Sequence, residues 1–156
     1  MYHYTQCGLD NVWLENGYKV KKTAYGQAVA VEDADGLHQT LALELIAKQG
    51  RLSGKELKFL RVAMGLSQGG LGRLLGATEQ SVSLWERTGK VPQAADGLTR
   101  LLAAEKLNGN CKVSEVVERI STVERLLNQR IVARESRRKW VSKTQVAEEA
   151  GGEVAA

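Results

Sequence analysis

Residues 67 to 76, SQGGLGRLLG, combine four glycines with three leucines at helical spacing. Glycines at close spacing can let a backbone approach a phosphate, as in the loops of nucleotide-binding enzymes. The leucines instead have the spacing of one face of a helix. The stretch therefore predicts either a phosphate cradle or a helix that positions a neighbouring helix on DNA.

The phosphate-cradle reading fits poorly. A dinucleotide fingerprint needs G-x-G-x-x-G directly after a strand, but Leu75 occupies the third glycine position and the preceding segment has a helical pattern. The chain has no Gly-Lys-Ser or Gly-Lys-Thr, which a P-loop needs. No Ser-His-Asp, Cys-His or paired-carboxylate arrangement stands out, so we expect no enzymatic activity.

The candidate metal ligands are also weak. His3, Cys7 and His38 are not close in sequence, and structural zinc usually takes four ligands. Cys7 and Cys111 are the only cysteines and lie in regions of different character. We therefore predict no metal, no cofactor and no disulfide framework.

Helix start and stop signals surround the glycine-rich stretch. Ser53-Gly-Lys-Glu56 has the form of a capping box, so a helix should begin there. Ser67 can cap a second helix that Gly76 closes, and Thr78 can cap a third. Gly89 and Pro92 then break the chain. The apolar faces predicted for these helices and a fourth comprise Leu57, Leu60, Met64, Leu71, Leu74, Leu75, Val82, Trp85, Leu98, Leu101 and Leu102.

The two ends of the chain differ from this middle part. Short β-prone runs between residues 12 and 33 predict a small antiparallel sheet. Residues 113–132 carry apolar side chains at three-four spacing and predict a long amphipathic helix that needs a partner surface. We thus expect an N-terminal β region (1–50), a DNA-binding domain (53–105), a dimerising helix (111–140) and a disordered tail (141–156).

Composition and charge give weaker guidance. The net charge is +4 and the excess of cations lies beyond residue 52, which is compatible with a polyanionic partner. No apolar run approaches the roughly 18 residues of a membrane span. Because the N-terminus has neither a basic start nor an apolar run, we expect no secretion signal. We expect a cytoplasmic protein that does not contact membranes.

Residues 66–92, LSQGGLGRLLGATEQSVSLWERTGKVP, resemble the lambda-repressor-like (Xre-type) DNA-binding module. That family shows a Leu-Ser-Gln entry, a Leu-Gly turn, a Ser or Thr opening the recognition helix, and Trp-Glu followed by Gly and Pro. The matches are Leu66-Ser67-Gln68, Leu75-Gly76, Thr78, Trp85-Glu86, Gly89 and Pro92. With the patterns above, the resemblance implies an α+β, mostly α protein: a five-helix core, a small N-terminal antiparallel β region and a long C-terminal helix.

The resemblance also implies which residues meet DNA. One face of the recognition helix is turned toward the bases, and the residues on it are Thr78, Glu79, Gln80, Ser81, Ser83 and Leu84. Helix N-termini and cations fix register on phosphates. The phosphate contacts expected here are Ser67, Gln68, Arg73, Arg87 and Lys90.

Residues 4–18 (YTQCGLDNVWLENGY) and 25–61 resemble the organisation of MqsA-type antitoxins and related YgiT-type proteins. That family joins an N-terminal zinc ribbon, beginning Cys-Pro-x-Cys-Gly, to the helix-turn-helix. Here Tyr4-Thr5-Gln6-Cys7-Gly8 stands at that place, and no second Cys-x-x-Cys pair exists. The N-terminal part is then either a degenerate, metal-free version or a different small fold.

The glycines depart from the family pattern. Gly72 stands where alanine is usual, and Gly69 and Gly70 replace better helix formers. At roughly 1 kcal/mol each, the three cost about 3 kcal/mol of helix propensity. On propensity alone, Gly72→Ala should raise the thermal midpoint without lowering DNA affinity.

These features predict a sequence-specific DNA-binding transcriptional regulator, a repressor that binds a palindromic operator as a homodimer and associates with the nucleoid. The alternative is an antitoxin that neutralises a toxin and autoregulates its operon. Residues 1–50 would then hold the toxin through exposed aromatics, or pack those aromatics against the helices. The cluster from Arg134 to Trp140 is either a basic DNA-binding arm or the solvated end of a helix.

Overall fold

The computed structural model of the chain describes residues 1–107 and 129–146. These residues form five helices and six strands, which in chain order are β1 (Tyr2–His3), β2 (Val12–Leu14), β3 (Tyr18–Thr23), β4 (Gly26–Val31), α1 (Ala34–Ile46), α2 (Gly54–Ala63), α3 (Gln68–Leu75), α4 (Glu79–Thr88), α5 (Gln93–Lys106), β5 (Gln129–Ser136) and β6 (Lys139–Val146). They divide into a sheet unit, residues 1–41 with 129–146, and a helical unit, residues 42–107.

A four-stranded sheet with the order β1-β2-β5-β6 is the centre of the sheet unit. β2 runs parallel to β5, with Val12 opposite Ile131 and Leu14 opposite Ala133. β5 and β6 form an antiparallel hairpin. Val12, Leu14, Ile131 and Ala133 have no exposed surface, because alternate residues of neighbouring strands share the inner face.

β3 and β4 form a separate two-stranded hairpin with Thr23 opposite Gly26. The Thr23 hydroxyl closes the turn by donating to the Gly26 carbonyl at 2.7 Å. Gly26 has a φ of 120°, which only glycine adopts readily. Most side chains of this hairpin are exposed, including Val20 and the whole of Tyr25.

The helical unit begins with the end of α1 and continues through α2 to α5. Ser53 caps α2 through the predicted capping box, and Ser67 and Thr78 cap α3 and α4 as predicted. Its fully buried apolar side chains include Leu45, Leu52, Leu57, Leu60, Leu71 and Val82.

Buried charges take the inward face of α5, where leucines were predicted. Leu98 is 39% exposed, whereas Asp96 and Arg100 have no exposed surface, so the predicted apolar face of this helix is wrong. Arg100 pairs with Asp96 at 2.6 Å and donates to the carbonyls of Lys48 and Gly50. The Asp96 carboxylate also accepts from the Leu52 amide at 2.6 Å. These bonds fasten the chain between α1 and α2 to α5.

Burial raises the pKa of the Asp96 carboxyl, and the charge of Arg100 acts in the opposite direction. Desolvation therefore has the larger effect on this carboxyl. The pair holds residues 48 to 52 through the hydrogen bonds of Arg100 to the Lys48 and Gly50 carbonyls and of the Leu52 amide to Asp96.

A second buried ion pair lies at the start of α2. Lys48 Nζ is 2.6 Å from Glu56 Oε1, and the same oxygen accepts from the Ser53 amide at 2.8 Å. Glu56 thus satisfies a backbone donor of the helix N-terminus and compensates the buried lysine charge at once.

The predicted fold class is wrong at the C-terminus. Residues 129–136 and 139–146 are strands, so the long helix does not continue to residue 140, and β6 includes residues 141–146 of the tail predicted to be disordered. Ile131 and Val132 fit a helical stripe, but a central strand next to a parallel neighbour also carries a continuous apolar run. Residues 111–128 of the predicted helix lie outside the described residues.

The small antiparallel sheet predicted between residues 12 and 33 is present as the β3–β4 pair. β2, which lies in the same range, was not expected to take β5 as a parallel partner from the far end of the chain. The result is an α+β fold with two sheets among the described residues. In those residues, no helix has both the length and the apolar character needed to cross a membrane.

Candidate nucleic-acid interface

α3 and α4 are two short helices joined by a tight turn. Gly76 ends α3 with a φ of 69°, a left-handed conformation that suits glycine. The Thr78 hydroxyl then accepts from the Ser81 amide at 3.1 Å and starts α4. Two residues thus separate the end of one helix from the N-cap of the next, which is the spacing of a helix-turn-helix.

Gly72 sets how closely α3 approaches this turn. Its carbonyl accepts from the Ala77 amide at 2.8 Å, and a Cβ on Gly72 would lie only 2.8 Å from the Ala77 carbonyl oxygen. The obstacle is backbone, which cannot rotate away. The expectation that Gly72→Ala raises the thermal midpoint considered helix propensity alone, and this close contact opposes it.

Gly54 sets the approach of α4 to α2. A Cβ on this first residue of α2 would lie 2.1 Å from the Glu86 carbonyl oxygen and 3.0 Å from that of Trp85. The absence of a side chain lets the N-terminus of α2 rest on the backbone of α4. Gly89 then ends α4 in the left-handed conformation.

Arg61 and Glu86 hold the same two helices from the side. Arg61 Nε donates to Glu86 Oε2 and Nη2 to Oε1, both at 3.0 Å. Arg61 Nη1 also donates to the Leu66 carbonyl at 2.9 Å, and the Gln68 amide reaches Glu86 Oε1 at 3.4 Å. One mostly buried ion pair thus links α2, the entry to α3, and α4.

A surface concavity of about 310 Å³ lies between the start of α3 and one face of α4. Gln80, Ser83 and Arg87 line it at three-four spacing along α4. Glu79 and Gln68 complete the lining. Sequence analysis assigned all of these residues to DNA, and the fold brings them to one surface.

The other residues predicted to contact bases are placed differently. The Thr78 and Ser81 hydroxyls are bonded to each other at 2.9 Å, so they form the cap of α4. Leu84 is 49% exposed on α4. Its methyl groups are therefore open to solvent one turn beyond Gln80.

The residues predicted to contact phosphates lie at the ends of α3 and α4. The Ser67 hydroxyl caps α3 by accepting from the Gly70 amide at 2.9 Å. Arg73 lies in the last turn of α3 and Arg87 in the last turn of α4, and both are exposed. Lys90 is exposed just after α4.

Charge in this region is partly neutralised within the protein. Arg61 compensates Glu86, so the acid next to the concavity does not repel a polyanion at full strength. Glu79 is exposed and lies near Gly69, since a Cβ there would be 3.6 Å from Glu79 Oε2. The exposed charges of α3, α4 and the residue after α4's cap are thus three cations, Arg73, Arg87 and Lys90, and one carboxylate, Glu79.

Arg61 is the positioning residue that sequence analysis missed. Its partner Glu86 was singled out only as part of the Trp-Glu match. A pair separated by 25 positions leaves no periodic signal. A charged side chain next to the apolar face of α2 was the one available hint. Trp85, expected in the core, is only half-buried.

The zinc ribbon implied by the resemblance does not fit the residues present. His3 Nε2 donates to the Asp10 carbonyl at 2.7 Å, and His38 Nε2 is hydrogen-bonded to the Tyr4 hydroxyl at 2.9 Å. Burial raises the pKa of the Cys7 thiol, which opposes the thiolate form that a metal needs. Among residues 1–107 and 129–146, no three His, Cys, Asp or Glu side chains group as a metal site.

Comparisons with family models, with curated proteins and with solved structures give no match for this chain.

Proposed function

We propose that the protein is a sequence-specific DNA-binding transcriptional regulator of the Xre type that inserts α4 into the major groove. The observation that carries this proposal is the concavity lined by Gln68, Glu79, Gln80, Ser83 and Arg87. It combines amide, hydroxyl, carboxylate and guanidinium groups on an exposed helix whose two ends are capped. A major groove about 12 Å wide admits such a helix.

The exposed groups on α4 match base edges in type. The Gln80 amide can make paired hydrogen bonds to adenine, and Ser83 can serve several bases. The Glu79 carboxylate can accept from cytosine, and the Leu84 methyls can contact thymine. The Thr78 and Ser81 hydroxyls already form hydrogen bonds in the cap of α4, so we assign them a smaller part in base contact.

Cations at the helix ends supply the phosphate contacts. Arg73, Arg87 and Lys90 are exposed, and Ser67 and Gln68 stand at the N-terminus of α3, where backbone amides favour anions. These contacts fix register and carry no sequence information themselves. Specificity in this account comes from α4.

We also propose that the chain represses transcription as a homodimer. Helix-turn-helix proteins bind two half-sites about one helical turn apart, which pairs naturally with twofold symmetry. Leu98 of α5 is 39% exposed and Leu101 and Leu102 are half-buried, at a spacing that gives a partly apolar helix face. Such a face is compatible with a second subunit.

Selection of bound duplexes from a random library tests this function. We expect one recurrent sequence with two symmetric half-sites, and a mass in solution of twice the 17.1 kDa chain. Recovery of unenriched sequences would contradict sequence-specific recognition. A monomer on the selected duplex would contradict the dimer.

A second candidate function is that of an antitoxin, and the β3–β4 hairpin favours it. Tyr25 at its tip is fully exposed and Val20 is 51% exposed. An isolated two-stranded hairpin is marginally stable in water, and large exposed side chains anchor interfaces. Trp13 and Tyr18 contribute less, because Trp13 stacks on His3 and Tyr18 packs on Tyr2.

Co-expression with the product of the adjacent gene tests this candidate. We expect that product to arrest growth alone, the intact chain to relieve the arrest, and Tyr25→Ala to lose relief while keeping DNA affinity. A harmless neighbour, or unchanged relief by Tyr25→Ala, would remove the hairpin from this role.

A further inference from the structure

The β5–β6 hairpin carries the basic cluster that sequence analysis left unassigned. Residues 129 to 146 contain six Lys or Arg residues and one acid, Glu135. Arg134, Arg137, Arg138, Lys139 and Lys143 are exposed, and none of them forms an ion pair within the part of the chain that the structure describes. Among the described residues, these five side chains thus concentrate positive charge without a salt-bridge partner.

Three hydrogen bonds hold the base of the hairpin tip. The Asn16 side chain accepts from the Glu135 amide at 2.8 Å and donates to the Glu135 carbonyl at 3.2 Å. Trp140, on the other strand, donates from its indole to the Asp33 carbonyl at 3.2 Å and packs on Gly17. These bonds tie both strands of the hairpin to the neighbouring residues Asn16 and Asp33.

Two arginines occupy strained positions at this tip. Arg137 and Arg138 form the two-residue turn, with φ values of 50° and 63°. A turn with two positive φ values favours Asn-Gly, and other residues are strained there. The Glu135 carboxylate supports the turn by accepting from the Arg138 amide at 3.0 Å. The backbone conformation of this turn would favour other residues, so the presence of Arg137 and Arg138 points to a function of their side chains.

Further cations lie on the outer face of the same sheet. The Arg130 guanidinium lies 4.9 Å from the centre of the Trp13 ring, which in turn stacks on His3 at 4.2 Å. Arg134 and Lys143 line a shallow groove of about 180 Å³ next to Val132, and its lining includes one carboxylate, that of Glu15. Because Trp13 is already stacked, it does not offer a base-stacking platform, and the face is better suited to phosphates than to unpaired bases.

We propose that the β5–β6 hairpin is a second DNA-binding element, whose tip and outer face contact the phosphate backbone of duplex DNA independently of base recognition by α4. The cations of β5 and β6 are spaced along strands that rise about 3.3 Å per residue, and duplex DNA also carries its charges at a regular spacing. A two-stranded ribbon also fits the major groove. The inference rests on the proposed function and adds to it a sequence-independent source of affinity.

The double variant Arg137→Asn/Arg138→Gly tests the proposal without destabilising the fold. It removes both charges and installs the residues that this turn prefers, so the thermal midpoint should stay or rise. The matched control is Lys21→Thr/Lys22→Thr, which removes two charges from exposed positions of the β3–β4 hairpin. Both are titrated by fluorescence anisotropy against the selected duplex and a random duplex at several salt concentrations.

We expect Arg137→Asn/Arg138→Gly to weaken both duplexes by the same factor, about tenfold, and to reduce the salt slope by about 2, since two counterion-releasing contacts are lost. The lysine control should stay within about twofold of the intact chain. Unchanged affinity and slope in the arginine variant would overturn the proposal. Arginine-dependent binding to phosphatidylserine vesicles with unchanged DNA affinity would overturn it in favour of a membrane surface.

Gln80→Ala, measured in parallel, separates this proposal from the proposed function. If Gln80→Ala relaxes sequence preference while the arginine variant has no effect, the hairpin proposal fails alone. If the chain shows no sequence preference but loses affinity in the arginine variant, regulation by α4 fails and the hairpin contact stands.

Discussion

Arg61 on α2 donates two hydrogen bonds of 3.0 Å to the carboxylate of Glu86 on α4. This pair fixes the orientation of α4, because the same arginine also holds the Leu66 carbonyl at the entry to α3. The helix proposed to read bases is therefore positioned by Arg61, whose guanidinium is engaged by Glu86 and the Leu66 carbonyl.

Arg61→Met should lower the free energy of unfolding by about 3 to 5 kcal/mol, because Glu86 would remain buried without its partner. Arg73→Met, on the exposed surface of α3, is the control and should change it by less than about 0.5 kcal/mol. Arg61→Met/Glu86→Met should recover much of the loss. Urea unfolding measures all three variants. If Arg61→Met is as stable as Arg73→Met, the ion pair does not hold α4.

Gly72→Ala and Gly69→Ala should act in opposite directions although both add one methyl group to α3. A Cβ on Gly72 meets the Ala77 carbonyl oxygen at 2.8 Å, whereas one on Gly69 lies 3.6 Å from Glu79. We expect Gly72→Ala to destabilise by about 1 to 3 kcal/mol and Gly69→Ala to stabilise by up to about 1 kcal/mol. Thermal unfolding decides, and a higher midpoint for Gly72→Ala would restore the argument from helix propensity.

Arg100→Met should be the most damaging change on α5. It leaves Asp96 buried without a counter-charge and the carbonyls of Lys48 and Gly50 without their donor. We expect a loss of about 3 to 5 kcal/mol in urea unfolding. Arg51→Met, at an exposed position in the same segment, should be close to neutral. Equal effects of the two substitutions would contradict the role given to Arg100.

Removal of metal should leave the protein unchanged, despite the resemblance to zinc-ribbon antitoxins. His3 and His38 are committed to Asp10 and Tyr4, and Cys7 favours its thiol form. We expect elemental analysis of untagged protein to find no stoichiometric zinc, and a chelator to leave the thermal midpoint unaltered. One zinc per chain would require a ligand set different from these residues.

Local chemistry in the sequence was enough to locate α2, α3 and α4. The side chains of Ser53, Ser67 and Thr78 each satisfy an amide within their own first turn, and Gly76 and Gly89 end helices by their own conformation. Such signals depend on neighbours three or four residues away, which the sequence displays directly.

The features that sequence analysis missed depend on distant partners. The apolar pattern at Ile131 and Val132 fits a helix as well as a strand, and only the parallel pairing with β2 decides for a strand. The inward face of α5 is polar because Arg100 and Asp96 find backbone partners about 50 and 44 residues away. Gly72 looked like a weak helix residue because its helix propensity is visible in the sequence, whereas its close contact with the Ala77 carbonyl oxygen is visible only in the fold.

The affinities of Gln80→Ala and Lys90→Ala for the selected duplex and for a random duplex test the central claim most directly. Gln80→Ala should lose about 1 to 3 kcal/mol on the selected duplex and relax the preference at one base pair, since it removes a base contact. Lys90→Ala should weaken both duplexes alike, since it removes a phosphate contact. If each variant instead loses the same factor on selected and random DNA, α4 does not read bases and the proposed function is wrong.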